Sequence, residues 1–418
     1  MSVFKWTKEN SWIDIFINLS LFLFLSSKTG VIKGSAMEYL SLAAFGLFLA
    51  SKILKRGRMI LTGQSVYYMI FSIYAVSSCL WAMNKSFSLE QIPSILALMI
   101  FLILLGNYAD SYEQFLNVIH YTIINNIIVS FKILFLYYFY TGSPASRINE
   151  ITGIYFNTVG QVLAFSILFS IYLYKLKNQK IYLLFCIPQF LAILFTESRK
   201  SIIIPVLGII FIYLLEKRVM KRKTIYKFLV FVTVLLLLWI AVKSAGVEIF
   251  SESLKRRMEA LIKSVTGQEN DWSIYLRRFF INTGLNIFKE HPIYGIGVNN
   301  FAYYVKNFTD YTVARYSHNN YIEMLSCLGI IGFALYYWFY SSLMIKLIKN
   351  VIHNRTDSLF IIICSIMAVL MIMEWGVVSY TGCIYHIYIF FVYYTERHRL
   401  EIKQKEGGES YAEEISKI

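Results

Sequence analysis

The stretch SIYLRRFFINTGLNIFKEHPIYGIGVNNF (273–301), followed after a short aromatic link by SHNNYIEMLSCLGIIG (317–332), organises the rest of the chain. It is polar and punctuated by glycine, and long apolar runs flank it. A helical pattern starts at Ser273 and carries Arg277 and Arg278. It stops at His291-Pro292, since proline has no amide hydrogen to donate within a helix. Gly295-x-Gly297 predicts a tight turn, because glycine adopts backbone angles closed to other residues. His318 and Asn319 stand at the mouth of the next apolar run, with Glu323 just inside it.

Outward from this stretch nearly everything reads as membrane. The 418 residues are 57% hydrophobic and 17% aromatic, with a mean hydropathy of +0.56, which is too apolar for a soluble chain of this length. One bilayer crossing takes roughly 20 apolar residues, so the length accommodates about twelve spans and one long loop. These are expected near 12–28, 36–52, 64–82, 89–106, 115–140, 157–174, 181–196, 201–216, 225–245, 318–345, 358–375 and 379–395. The fold expected is all-α, a polytopic bundle of about twelve transmembrane helices with one large extracytoplasmic helical loop between spans 9 and 10. The five cysteines lie in apolar segments without CxxC spacing, as small core hydrophobes rather than disulfides or metal ligands.

The net charge of +15 lies between apolar runs, which points to membrane topology and an anionic lipid-linked substrate rather than nucleic acid. Lys52, Lys55, Arg56 and Arg58, then Lys175, Lys177 and Lys180, then Lys217, Arg218, Lys221, Arg222 and Lys223 fall on one side. Lys346, Lys349, Arg355, Arg397 and Arg399 join them. The opposite side keeps Lys28, Lys33, Lys85, Arg147, Arg199 and Lys200. By the positive-inside rule both termini are expected in the cytoplasm. The chain then divides into spans 1–9 (1–245), an extracytoplasmic loop (246–317), spans 10–12 (318–400) and a polar, disordered tail (401–418). Within the loop, Leu254, Met258, Leu261, Ile262 and Val265 recur at helical spacing opposite Lys255, Arg256, Arg257 and Lys263, an amphipathic surface helix.

The chain has no P-loop, no HExxH and no GxSxG pattern. Asp14, Asp110, Asp271, Asp310 and Asp357 are too scattered for a DxD metal clamp on a nucleotide-sugar. Phosphate chemistry here therefore falls to Arg and Lys, with no cofactor and no metal expected. Arg277 or Arg278 offers paired donors matched to phosphate oxygens, although an arginine at this depth equally snorkels at an interface. The turn Thr196-Glu197-Ser198-Arg199-Lys200 either pins two helix ends or meets an anionic partner. His318 has the natural ionisation range of a general base for a sugar hydroxyl, and Glu323 is an ionisable residue placed at a span's head. Gly295 and Gly297 present amides to phosphate or simply turn the chain. Lys132 and Glu374 are the remaining charges inside or beside spans.

Taken together, Arg277, then His291-Pro292-Ile293-Tyr294-Gly295-Ile296-Gly297 and Phe301, then His318-Asn319-Asn320-Tyr321-Ile322-Glu323 and Gly329-Ile330-Ile331-Gly332, resemble the signature of the O-antigen ligase and polymerase family. Residues 196–200 resemble its Ser-Arg element, with Lys200 where the family often has a small residue. Asn157, Gly160 and Gln161 resemble a weaker motif. The resemblance implies a glycan transferred from undecaprenyl pyrophosphate to an acceptor sugar outside the bacterial cytoplasmic membrane. Carried over by motif position, Arg199 and Arg277 bind the pyrophosphate and His318 activates the acceptor, with Lys200, Arg278, Asn319, Glu323, Gly295 and Gly297 in support. Arg278 does not fall on the motif position. The partners implied are the lipid-linked oligosaccharide donor, the glycan acceptor and the bilayer, and a chain-length regulator is a candidate protein partner.

The function expected is polymerisation of lipid-linked repeats into an O-antigen, capsule or exopolysaccharide. A ligase moving finished glycan to lipid A-core or another acceptor shares every motif. A flippase without chemistry would need polar residues along a mid-membrane path, where Lys132 is nearly alone.

Overall fold

The computed structural model describes residues 12–196, 198–216, 272–311, 313–353 and 358–398. The described residues are all-α, with no strand among them. The helices are α1 (Trp12–Thr29), α2 (Ser35–Arg56), α3 (Gly63–Ser77), α4 (Lys85–Tyr108), α5 (Tyr112–Leu136), α6 (Pro144–Thr152) and α7 (Phe156–Lys177). They continue with α8 (Ile181–Thr196), α9 (Arg199–Glu216), α10 (Trp272–Glu290), α11 (Asn300–Phe308), α12 (Asn320–His353), α13 (Ser358–Met373) and α14 (Cys383–Arg397).

Their ends have local causes. Thr62 and Asn84 accept from the third amides of α3 and α4, and Ser111 forms a reciprocal capping box with Gln114 at α5. Gly57 and Gly153 close α2 and α6 in the left-handed conformation. At the end of α1, the Lys132 ammonium donates to the carbonyls of Gly30 and Val31, so this membrane-depth cation serves as a helix cap.

Six of the described helices are long and apolar enough to cross a bilayer: α1, α2, α4, α5 with the turn that follows it, α7 and α12. These six are counted among the described residues alone, and twelve spans stays an expectation for the whole chain. At 1.5 Å per residue, α3, α8, α13 and α14, with 15 to 16 residues each, reach about 24 Å against a hydrocarbon core of about 30 Å. The helix α9 has 18 residues but carries Arg199, Lys200 and Glu216 at its ends. The span expected at 225–245, the amphipathic helix at 254–265 and the tail from 401 lie outside the described residues. Leu40, Leu47, Leu54, Ile73, Phe135 and Trp338 are exposed on the helix exteriors, as lipid-facing side chains are. The chain is a multi-pass membrane protein. Near the centre, α7 packs against α5, α8, α9 and α13, and α12 packs against α3, α10 and α13.

The helix α12 is broken. Gly329 sits at φ 64 and ψ −166 in its middle, and the loop 291–297 fills the gap. The amides of Ile296 and Gly297 donate to the freed carbonyls of Ser326 (3.1 Å) and Cys327 (2.8 Å). From the other side the amide of Ile330 donates to Pro292 O at 2.9 Å. Irregular backbone at membrane depth is tolerated only where its polar groups are satisfied like this. The approach is so close that a Cβ on Gly295 would stand 2.4 Å from the Cys327 carbonyl, and one on Gly329 2.2 Å from Ile293 O. Met83 N to Ile296 O (2.9 Å) and Val298 N to Ser78 Oγ (2.9 Å) tie the loop's far side to the α3–α4 connection.

Candidate functional site

The His318 turn is built from its neighbours. The backbone of His318 is left-handed at φ 57, which a residue with a Cβ holds only where its surroundings over-determine it. Ser317 supplies part of that: its amide donates to Glu323 Oε2 (2.8 Å) and its hydroxyl donates to Asn319 O (2.7 Å). Asn319 caps α12, its Oδ1 accepting from the amides of Tyr321 (3.0 Å) and Ile322 (3.3 Å). Its Nδ2 is buried and has no hydrogen-bond partner among the described residues. Glu323, itself buried, thus faces the turn from below and takes the Ser317 amide as a ligand would be taken.

The His318 ring lies between two aromatic rings, with Phe280 of α10 at 5.9 Å and Tyr316 at 4.2 Å between centroids. Phe280 is buried and Tyr316 is exposed, so one side of the imidazole is packed and the other opens outward. Burial first, then the charges of Lys200, Arg277 and Arg315, hold the His318 pKa down at about 4. At neutral pH the imidazole is therefore uncharged and free to take a proton.

Three elements bring these groups together. The helix α10 lies against the head of α12, where a Cβ on Gly284 would meet Ile322 Cγ2 at 2.2 Å, and this puts the Arg277 charge onto His318. Lys200, at the head of α9, feels Arg277 as well. Burial and that charge push its ammonium down to about 8, and Nζ donates to the carbonyl of Gly376. The turn at 196–200 is in turn pressed by α7, since a Cβ on Gly160 would stand 2.2 Å from Ser201 Oγ and 2.8 Å from Thr196 Oγ1. The hydroxyls of Ser198 and Ser201 are buried without a partner among the described residues.

Lys200, Arg277, His318 and Asn319 thus share one electrostatic environment, with Glu323 beneath. Arg199 heads α9, half-buried beside Lys200. Arg278, one position further along α10, points about 100° away from Arg277, and both arginines are exposed. Gly295 and Gly297 serve the docking of the loop: the amide of Gly295 is used by His291 O and that of Gly297 by Cys327 O. Neither amide remains for a phosphate. Among the described residues no three His, Cys, Asp or Glu side chains gather as a metal-ligand set.

Three residues of this site drew no attention as sequence. Arg315 and Tyr316 sit in the link before His318, and Gly376 offers only its carbonyl. Tyr316 had one available signal, its place two residues before the histidine. Gly376 had none.

No curated protein matches the chain. The family model described as O-antigen ligase matches residues 181–337, from the start of α8 through the break in α12, and so covers Arg199, Lys200, Arg277 and His318. Over that stretch, somewhat more than a third of its length, the chain is similar to the O-antigen ligase family.

Proposed function

We propose that the protein is a bacterial membrane glycosyltransferase that polymerises lipid-linked repeat units, with undecaprenyl pyrophosphate as the leaving group. The observation that supports it best is the convergence of Lys200 and Arg277 on an imidazole kept neutral. An anion-binding pair beside a free base is what transfer from a glycosyl pyrophosphate requires. Arg199 and Arg277, helped by Lys200, hold the pyrophosphate and stabilise the charge it gains as it departs. His318 takes the proton of the acceptor hydroxyl through a ring nitrogen. The hydroxyl oxygen attacks the anomeric carbon from the opposite face, the carbon–oxygen bond to pyrophosphate breaks, and its electron pair leaves with the phosphate. Because pyrophosphate is a good leaving group, no general acid is needed, and the product has inverted configuration. The site faces the extracytoplasmic side, and both termini lie in the cytoplasm.

The second reading is a ligase that moves finished glycan to lipid A-core or another acceptor, and the description of the matching family favours it. One assay separates them. Purified protein in liposomes is given one lipid-linked repeat as its only substrate, and products are resolved on a gel. A ladder that His318→Ala abolishes supports polymerisation. Transfer only after a second acceptor is added supports ligation. No product with any acceptor, from a verified donor, returns the question to transport without chemistry.

A further inference from the structure

We propose that Glu374 is a positioning residue for His318 and Lys200, acting through the nine-residue segment 374–382 between α13 and α14. The proposal rests on the reading of His318 as the base. Glu374 is fully buried just beyond the end of α13, and none of the ion pairs among the described residues includes it. An unpaired buried carboxylate is a poor way to stabilise a fold, since an apolar group of the same shape costs less to bury. What it does is close a ring of hydrogen bonds onto the His318 turn.

Oε2 of Glu374 accepts from the Tyr337 hydroxyl at 2.7 Å, and Oε1 accepts from Ser379 Oγ at 2.6 Å. Asn320, two residues after His318, spans the same two partners. Its Nδ2 donates to the Tyr337 hydroxyl (2.9 Å) and its Oδ1 accepts from the Ser379 amide (3.1 Å). The ring is completed by the main chain, with the Asn320 amide donating to Glu374 O at 2.8 Å. Asn320 commits its Oδ1 and its own amide directly to this segment, and its Nδ2 reaches Glu374 through the Tyr337 hydroxyl of α12. Two residues further along the segment, Gly376 O takes the Lys200 ammonium. The segment therefore joins two groups that come from different helices, α9 and the head of α12. Glu323 fixes the turn through Ser317 on one side of His318, and Glu374 fixes it through Asn320 on the other.

The test uses the purified full chain and three variants: Glu374→Ala, Glu374→Gln and Tyr337→Phe. The glutamine keeps a hydrogen-bonding group of the same shape, and the phenylalanine removes one link without a cavity. Two readouts are taken on folded, monodisperse protein. The first is glycan transfer at saturating lipid-linked donor. Glu374→Ala is expected to lower kcat on the order of 100-fold, the cost of a base displaced by about 1 Å, with the donor KM within about twofold. Tyr337→Phe falls between Ala and wild type, and Gln restores most of the rate. The second readout is acylation of His318 by diethyl pyrocarbonate, followed by peptide mass spectrometry. It needs no substrate, so it separates a failure of this proposal from a failure of the functional reading. His318 is expected to react about tenfold faster in Glu374→Ala and at the wild-type rate in Glu374→Gln. Unchanged acylation in both Glu374→Ala and Tyr337→Phe overturns the proposal. A Gln variant acylated as fast as Ala overturns it too, because the hydrogen-bond ring would then not be the cause.

Discussion

Replacing Gly329 with alanine places a Cβ where the structure has no room for one. Two costs add. The backbone at φ 64 and ψ −166 is open essentially to glycine alone, and holding another residue there costs about 1–3 kcal/mol. The new Cβ would also stand 2.2 Å from Ile293 O and 2.4 Å from the Ile293 carbonyl carbon, which are main-chain atoms and cannot swing aside. Forcing an extra carbon into such packing costs about 1–3 kcal/mol more. The lower bound of the sum, about 2 kcal/mol, falls on the docked state of the loop, because release of residues 292–297 relieves the clash. Amide exchange of peptides covering 292–298 and 326–331 should then quicken about 30-fold or more in detergent. Two other glycines calibrate the result. Gly34→Ala isolates the backbone cost, since φ is 114 there and a Cβ meets nothing within 4 Å. Gly46→Ala should be neutral or better, since its Cβ makes only ordinary contact with Leu104 and alanine favours the helix. Protection of both loop peptides within about threefold of wild type in Gly329→Ala would refute the idea that the loop seals the break.

Two predictions concern the site. Arg277→Ala should weaken the donor by about 2–5 kcal/mol, the cost of removing one member of a charge pair that the bound lipid-linked donor shields from water. It should also raise the His318 pKa from about 4, because a cation that disfavours the imidazolium is gone; the acid limb of kcat/KM then moves to higher pH. An acid limb left in place would remove Arg277 from the neighbourhood of the base. Lys200 is charged below its pKa of about 8 and neutral above it, so kcat/KM for the anionic donor should fall as pH rises through 8. Lys200→Arg, which stays charged, should flatten that alkaline limb, and a limb that persists unchanged would assign it to another group.

Much of the architecture was legible because lipid imposes a simple code. Apolar runs near 12–28, 36–52, 89–106 and 157–174 became helices within a few residues of their expected ends, for a run of that length has no other stable form in a bilayer. The code is less decisive for short runs: α13 and α14 have 16 and 15 residues and are largely buried among other helices, and a buried helix is as apolar as a spanning one while needing no particular length. The site was legible as residue types, in that arginine, lysine and histidine near a membrane surface announce themselves. Their geometry was not. The pairing of Gly295 with Cys327 is a main-chain event across a long stretch of sequence, and the Lys200 ammonium meets the main-chain carbonyl of Gly376, so side-chain identity carries little trace of either partner. Glu374 stood out as an ionisable residue beside a span, but its ring through Tyr337, Ser379 and Asn320 depends on where α13 stops.

The seal at the break in α12 is made by amides and carbonyls, and its side chains are mostly onlookers. Ile293 and Tyr294 are exposed while their backbone lies against Gly329 and Trp81. Such a joint tolerates almost any sequence at those two positions while forbidding change at the glycines. A lineage of these proteins would therefore be free to vary Ile293 and Tyr294 without loosening the helix that carries Arg277. The joint separates heritable variation at the protein's surface from the geometry beneath it, and a saturation library at positions 293–297 would display that separation as two permissive columns, two that accept only glycine and, between those two, the buried apolar Ile296.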